Sequence, residues 1–189
     1  GSIILNGQNL QENAAAYKRQ IAYVPETPIL YDELTLKEHL ELTMLAYGLD
    51  RDLTWQNAHQ LLKIFRLDNK LDWFPANFSK GMKQKVMIVS AFMTDAKLFI
   101  VDEPFYGLDP LAVHDLLNLI EEKKAQGAGI LMSTHVLDTA QRYCDRFILL
   151  AHGQVKAHGT LKELQQKAAG AGETLDDIYL RLARDESDE

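Results

Sequence analysis

The stretch Leu98 to Asp109 reads Leu-Phe-Ile-Val-Asp-Glu-Pro-Phe-Tyr-Gly-Leu-Asp. It constrains the fold more than any other part of the chain. A short, unbroken apolar run ended by turn-forming residues predicts a strand buried on both faces, as in a parallel sheet. Asp102 and Glu103 stand where that strand ends. Open α/β sheets bind their ligands outside the carboxyl ends of the strands. A buried strand thus carries two acids to the place where chemistry is expected.

The length of 189 residues allows a full core and one or two domains. The net charge of −7 argues against a general nucleic-acid binder, which carries a basic surface. A single cysteine, Cys144, rules out an internal disulfide and fits a reducing compartment. No apolar run approaches the roughly 18 residues of a membrane-spanning helix.

Taken in order, Ser2 to Leu10 predicts two short strands joined at Asn6-Gly7, a strong hairpin dipeptide. Gln20 to Val24 is a further short strand, closed by Pro25 and followed by the polar loop of Glu26, Thr27 and Pro28. Thr35-Leu36-Lys37-Glu38 is a capping box that opens a helix reaching Gly48. A second helix is expected from Thr54 to Phe65. A third starts at Ser79 and turns Met82, Val86, Val89 and Met93 inward. Over 60 residues of mainly helical pattern therefore separate two strands, whereas an ordinary βαβ unit takes only about 30. An inserted helical subdomain is the economical reading.

Beyond Asp109, Pro110 suits the first position of a helix that runs to Gln126 with Leu116, Leu117 and Ile120 buried. A strand (Ile130 to Ser133), the pair Thr134-His135 and a helix (Val136 to Cys144) follow. A hairpin about His152-Gly153, a helix from Leu161 to Ala168, a flexible Gly-Ala-Gly joint and a last helix complete the pattern. In the last helix Leu175, Ile178, Tyr179 and Leu182 fall on one face. The terminal Arg-Asp-Glu-Ser-Asp-Glu is expected to fray. Alternating strands and helices predict an α/β fold with a largely parallel sheet.

The strand ends bring Glu26, Asp102, Glu103 and His135 to one edge. Acids with a histidine there suit a hydrolytic site, in which one carboxylate holds a hard cation and another polarises water. By themselves the two acids equally suit the cap of the next turn, and a lone histidine also suits a structural role. Ser79 with Lys80 and Gly81 offers free helix N–H groups to a phosphate, or simply an N-cap.

In order and spacing these residues resemble the nucleotide-binding subunit of an ABC transporter. Leu98 to Glu103 resembles the Walker B strand and its following glutamate. Tyr106-Gly107-Leu108-Asp109 resembles the D-loop, and Ser133-Thr134-His135 the switch histidine. Phe78 to Met82 resembles the signature motif, and Glu26 sits at the Q-loop position. Within the family, the Tyr23 to Pro28 run and the signature and Walker B segments look most like the Ecs-type bacterial subunit.

The resemblance implies a RecA-like P-loop NTPase core, incomplete at the N-terminus, with an inserted helical subdomain. Residues 1–29 and 96–160 would form the core, 30–95 the helical subdomain and 161–189 a C-terminal helical extension. ATP and Mg²⁺ would be the cofactors. Asp102, with Glu26, would hold Mg²⁺ partly through water. Glu103 would be the general base, and His135 would contact the γ-phosphate. Ser79, Lys80, Gly81 and Met82 would face the nucleotide of the opposite subunit in a head-to-tail dimer, and Asp109 would join the dimer interface, or serve as an ordinary N-cap. The partners would be that second ATP-binding subunit and a transmembrane permease, with no nucleic acid. The location would be cytoplasmic, peripheral on the inner face of the membrane, and export is expected over import. The alternative is a non-hydrolytic module that docks on a membrane partner.

Three departures from the family pattern stand out. Glu26 replaces Gln, and an ionised carboxylate accepts hydrogen bonds without donating them. Lys80 and Met82 replace Gly and Gln of the signature. No Gly-x-x-x-x-Gly-Lys-Ser/Thr occurs in the chain. The expectation is therefore a fragment that starts just after the P-loop and is inactive alone.

Overall fold

The computed structural model describes residues 1–167 and 172–184. The chain forms two compact units, Gly1–Ser133 and Thr134–Glu189.

The first unit opens with an antiparallel ribbon, β1 (Ile4–Leu5) and β2 (Gln8–Asn9). Asn6 and Gly7 at its tip both take positive φ, as a type I′ hairpin turn requires. The helix α1 (Ala14–Arg19) follows, capped by the Asn13 side chain. It then builds a parallel sheet in the order β3 (Ile21–Val24), β4 (Leu98–Asp102), β5 (Gly129–Ser133). Between β3 and β4 lie α2 (Leu36–Tyr47), α3 (Arg51–Ile64), a short 3-10 turn (Pro75–Asn77) and α4 (Lys80–Phe92). The helix α5 (Pro110–Ala125) links β4 to β5.

Local chemistry fixes these helix ends. Thr35 and Glu38 close both halves of the capping box at α2, and Gly48 ends that helix in the left-handed conformation. Asp50, Ser79 and Asp109 each accept a hydrogen bond from the third residue beyond them and so cap α3, α4 and α5. The inward faces of these helices join the sheet in one core, in which Phe92 stacks on Phe99 at 4.7 Å between ring centroids.

Three features differ from the sequence reading. The strand β4 is not buried on both faces: Phe99 and Val101 are buried, while Leu98, Ile100 and Asp102 are only half-buried. The register sets Tyr23, Ile100 and Leu131 in one row, and Tyr23 and Leu131 in that row are 50% and 54% exposed. An apolar run has the same composition whether one or both of its faces are covered. The second difference is α1, which the pattern did not predict because its Ala-rich turn carries no periodic apolar stripe. The helix α3 also starts three residues earlier than expected, at its Asp50 cap.

The second unit holds α6 (Leu137–Tyr143), an antiparallel ribbon of β6 (Phe147–Ala151) and β7 (Gln154–Gly159), α7 (Leu161–Lys167) and α8 (Leu175–Arg184). Leu175 and Ile178 are buried, with Tyr179 and Leu182 packed beside them, as the helical spacing predicts. Ala168, much of the expected Gly-Ala-Gly joint and the residues from 185 onward lie outside the described residues. Among the described residues, no helix is long and apolar enough to cross a membrane.

Candidate functional site

Asp102 is the last residue of β4 and pairs in register with Ser133, the last residue of β5. That register brings the Ser133 hydroxyl to Asp102, where it donates to Oδ1. The Tyr23 hydroxyl, from β3, donates to Oδ2 at 3.4 Å. Partial desolvation and then the Asp102 charge push the Tyr23 phenol above its ordinary value, so it remains a donor. The carboxylate is thereby oriented from both neighbouring strands. It still has lone pairs free, because a carboxylate accepts about four hydrogen bonds.

Glu103 leaves the strand in a left-handed conformation, with φ of 42°. This conformation is uncommon outside glycine, costs about 1–3 kcal/mol, and persists only where the surroundings enforce it. Here the Glu103 N–H donates to the Ser133 carbonyl at 3.1 Å and to the Ser133 Oγ at 3.2 Å. Ser133 thus fixes both acids. The turn swings Glu103 out of the strand direction at the carboxyl edge of the sheet.

Glu26 belongs to the same edge. Val24 pairs with Val101, so Glu26 and Glu103 each lie two residues beyond a paired position. Glu26 is exposed, whereas Pro25 before it is buried. The Pro25 carbonyl accepts from Gln84 Nε2 at 3.2 Å. Gln84 is a buried residue of α4 whose Oε1 has no hydrogen-bond partner among the described residues.

The first turn of α4 lies against the loop that follows Glu103. Ser79 Oγ accepts from the Met82 N–H at 3.2 Å. A Cβ on Gly81 would collide with the Gly107 carbonyl oxygen; only glycine permits this approach. Lys80 places Nζ 3.6 Å above the centre of the Tyr106 ring. Met82 is half-buried and packs against the main core. Lys85 Nζ meets Asp109 Oδ2 at 2.7 Å, while Asp109 Oδ1 takes the Ala112 N–H at 2.9 Å. The Lys85 hydrogen bond, with the Ala112 amide, holds the Asp109 carboxyl down at about 2. The N-cap role open for Asp109 from sequence is therefore present in the structure.

His135 is exposed and lies in the second unit, two residues past the end of β5. Among the described residues, no group of three or more His, Cys, Asp or Glu side chains could hold a metal ion. A site of one or two carboxylates is the kind that takes Mg²⁺ together with phosphate oxygens and water.

The sequence reading gave no role to Ser133, Tyr23, Gln84, Lys85 or Tyr106 within this constellation. Their partners are set by strand register and by a loop-to-helix contact, neither of which leaves a local pattern. The usable hint was that Asp102 and Ser133 both end apolar runs.

The comparisons bear on the family and the fold. The family model described as ABC transporter matches residues 1–106. The chain is 54% identical to the "ABC-type transporter ATP-binding protein EcsA" of Bacillus subtilis (strain 168) over 99% of this chain and 76% of that protein. It is 42% identical to the "Uncharacterized ABC transporter ATP-binding protein YthP" of the same organism, over 86% of this chain and 69% of that one. A solved structure described as "Structure of ATP binding subunit of ABC transporter" superposes with a TM-score of 0.93 at 54% identity, covering 96% of this chain and 76% of that one. The α/β core with its parallel sheet is thus the fold of an ABC ATPase, and the Ecs-type resemblance is borne out. The chain belongs to the ABC transporter family.

Proposed function

We propose that this chain is the ATP-binding subunit of a bacterial ABC transporter of exporter type. Two such subunits, head to tail, hydrolyse ATP-Mg²⁺ and drive a membrane permease from the cytoplasmic face. The observation that carries this reading is the acid pair at the end of β4. Asp102 is gripped by hydroxyls from both neighbouring strands, and Glu103 leaves the strand in a left-handed conformation.

The residues fit the implied cofactors. Asp102 retains free lone pairs for Mg²⁺ or one of its waters, and Glu26 on the same edge adds a second carboxylate. When bound, Mg²⁺ neutralises charge that develops on the phosphates. Glu103 accepts a proton from the attacking water through its carboxylate. His135 donates a hydrogen bond toward the γ-phosphate. Ser79 and Gly81, in the first turn of α4, present N–H groups to the nucleotide of the opposite subunit, with Lys80 adding charge and Met82 anchoring the turn in the core. Asp109 lies toward the interface between subunits. In this reading residues 1–29 and 96–160 form the ATP-binding core, 30–95 the helical subdomain that meets the permease, and 161–189 an extension.

The test is Glu103→Gln in the complete, assembled transporter. Loss of a general base lowers turnover by about 100-fold or more, while nucleotide binding persists. Turnover that survives the substitution overturns the assignment of Glu103 and favours a docking module without hydrolysis.

A further inference from the structure

The residue at position 80 is a lysine, and its side chain does not project freely from α4. Its Cγ and Cδ lie 3.6 and 3.8 Å from where a Gly107 Cβ would stand. Its ammonium then covers the Tyr106 ring at 3.6 Å from the centroid. Lys80 therefore lies across the loop that follows Glu103. The helix touches this loop at two further points. Gly81 meets the Gly107 carbonyl so closely that a Cβ has no room, and Lys85 pairs with Asp109 at 2.7 Å. The loop is itself tied back to the proposed base: the Tyr106 N–H donates to the Glu103 carbonyl at 3.3 Å, and the Leu108 N–H to the Phe105 carbonyl at 3.2 Å.

We propose that Lys80 and Tyr106 are positioning residues that form a cation–ring clasp, joining the first turn of α4 to the loop 103–109 so that the two move as one piece. The clasp is one of three attachments, and its ring lies at the surface, since Tyr106 is 54% exposed. The three attachments hold the loop at different residues, the clasp at Tyr106, the Gly81 approach at Gly107 and the Lys85 pair at Asp109. Through the Tyr106 N–H, the clasp braces the backbone of Glu103 in its left-handed turn. A displacement of the α4 turn is thereby transmitted to Glu103 within the same chain. This role rests on the reading of Glu103 as the base.

Two readouts on the folded chain test the clasp without ATP. The first is the NMR shift of the Lys80 ε-methylene. It is expected upfield, under the ring current, in the unsubstituted chain and in Tyr106→Phe, and at its ordinary position in Tyr106→Leu. The second is amide exchange across the two elements. Lys80→Met, on the helix, is expected to speed exchange at the Tyr106 and Leu108 amides by about two- to fivefold, the range of an exposed cation–ring contact. Tyr106→Leu, on the loop, is expected to do the same at the Met82 amide of α4. Lys80→Arg and Tyr106→Phe, which keep a cation and a ring, are expected to leave exchange unchanged. An unshifted Lys80 methylene, or exchange indifferent to Lys80→Met, overturns the clasp. Neither result bears on hydrolysis, which the Glu103→Gln experiment decides separately.

Discussion

Ser133 serves both acids at once: its hydroxyl holds Asp102, and its hydroxyl and backbone carbonyl together receive the Glu103 N–H. At this scale the site depends on close approaches with little slack, and Gly81 is the tightest of them. Gly81→Ala forces the α4 turn away from the Gly107 carbonyl. A destabilisation of about 1–3 kcal/mol is expected, read as a lower midpoint in urea unfolding. Asp109 offers a second test, through pH. Its folded pKa, about 2, lies below its ordinary value, so the unfolded state binds the proton more readily. The stabilisation is present in full above the ordinary Asp pKa of about 4 and fades as pH falls from there toward 2. Asp109→Asn keeps the cap acceptor for the Ala112 amide but removes the charge that Lys85 meets. The melting temperature of the unsubstituted chain is therefore expected to fall more steeply between those limits than that of the variant. Parallel profiles would show that the Lys85 pair contributes nothing.

Among the elements, α2 and α1 show what a sequence can announce. The four residues from Thr35 to Glu38 contain both halves of a cap, and every expected hydrogen bond of it is present. Thr35→Ala removes the acceptor for the Glu38 amide and is expected to cost about 1 kcal/mol, seen as a lower thermal midpoint; an unchanged midpoint would mean that packing alone holds the helix. The helix α1 has a good cap in Asn13 but only six residues, too few for a period to show. The strand β4 was legible from its apolar run, and so were the acids at its end. The residues set against it were not, because pairing in a parallel sheet joins residues distant in sequence. Tyr23 and Asp102 are 79 positions apart, and no local spacing rule links them. The same holds for burial: Leu98 and Ile100 read as core, yet their side of β4 is only half-covered. Lys80 was legible as a departure from a motif, but its seat on Tyr106 follows from how the loop 103–109 folds against α4.

The whole molecule sets the limits within which these parts can act. A net charge of −7 opposes long-range attraction of a polyanion, so any binding of ATP must rest on local donors rather than on the overall field. The first turn of α4 provides such donors, but in the proposed arrangement they serve a second subunit's nucleotide. Within its own subunit, ATP would have the carboxylates, which act through Mg²⁺. None of the 11 glycines is followed by lysine, so the 189 residues contain no phosphate-cradling loop of the P-loop kind. Micromolar affinity corresponds to about −8 kcal/mol of binding free energy, and a triphosphate without backbone N–H groups around it lacks the main source of that energy. We therefore expect titration calorimetry of this 189-residue chain with ATP and Mg²⁺ to show no micromolar binding. The same titration on a protein that also carries a P-loop should show it. A micromolar dissociation constant for the chain alone would require a phosphate site elsewhere among these residues. It would also overturn the view that the acid edge and the α4 turn hold ATP only together with a P-loop.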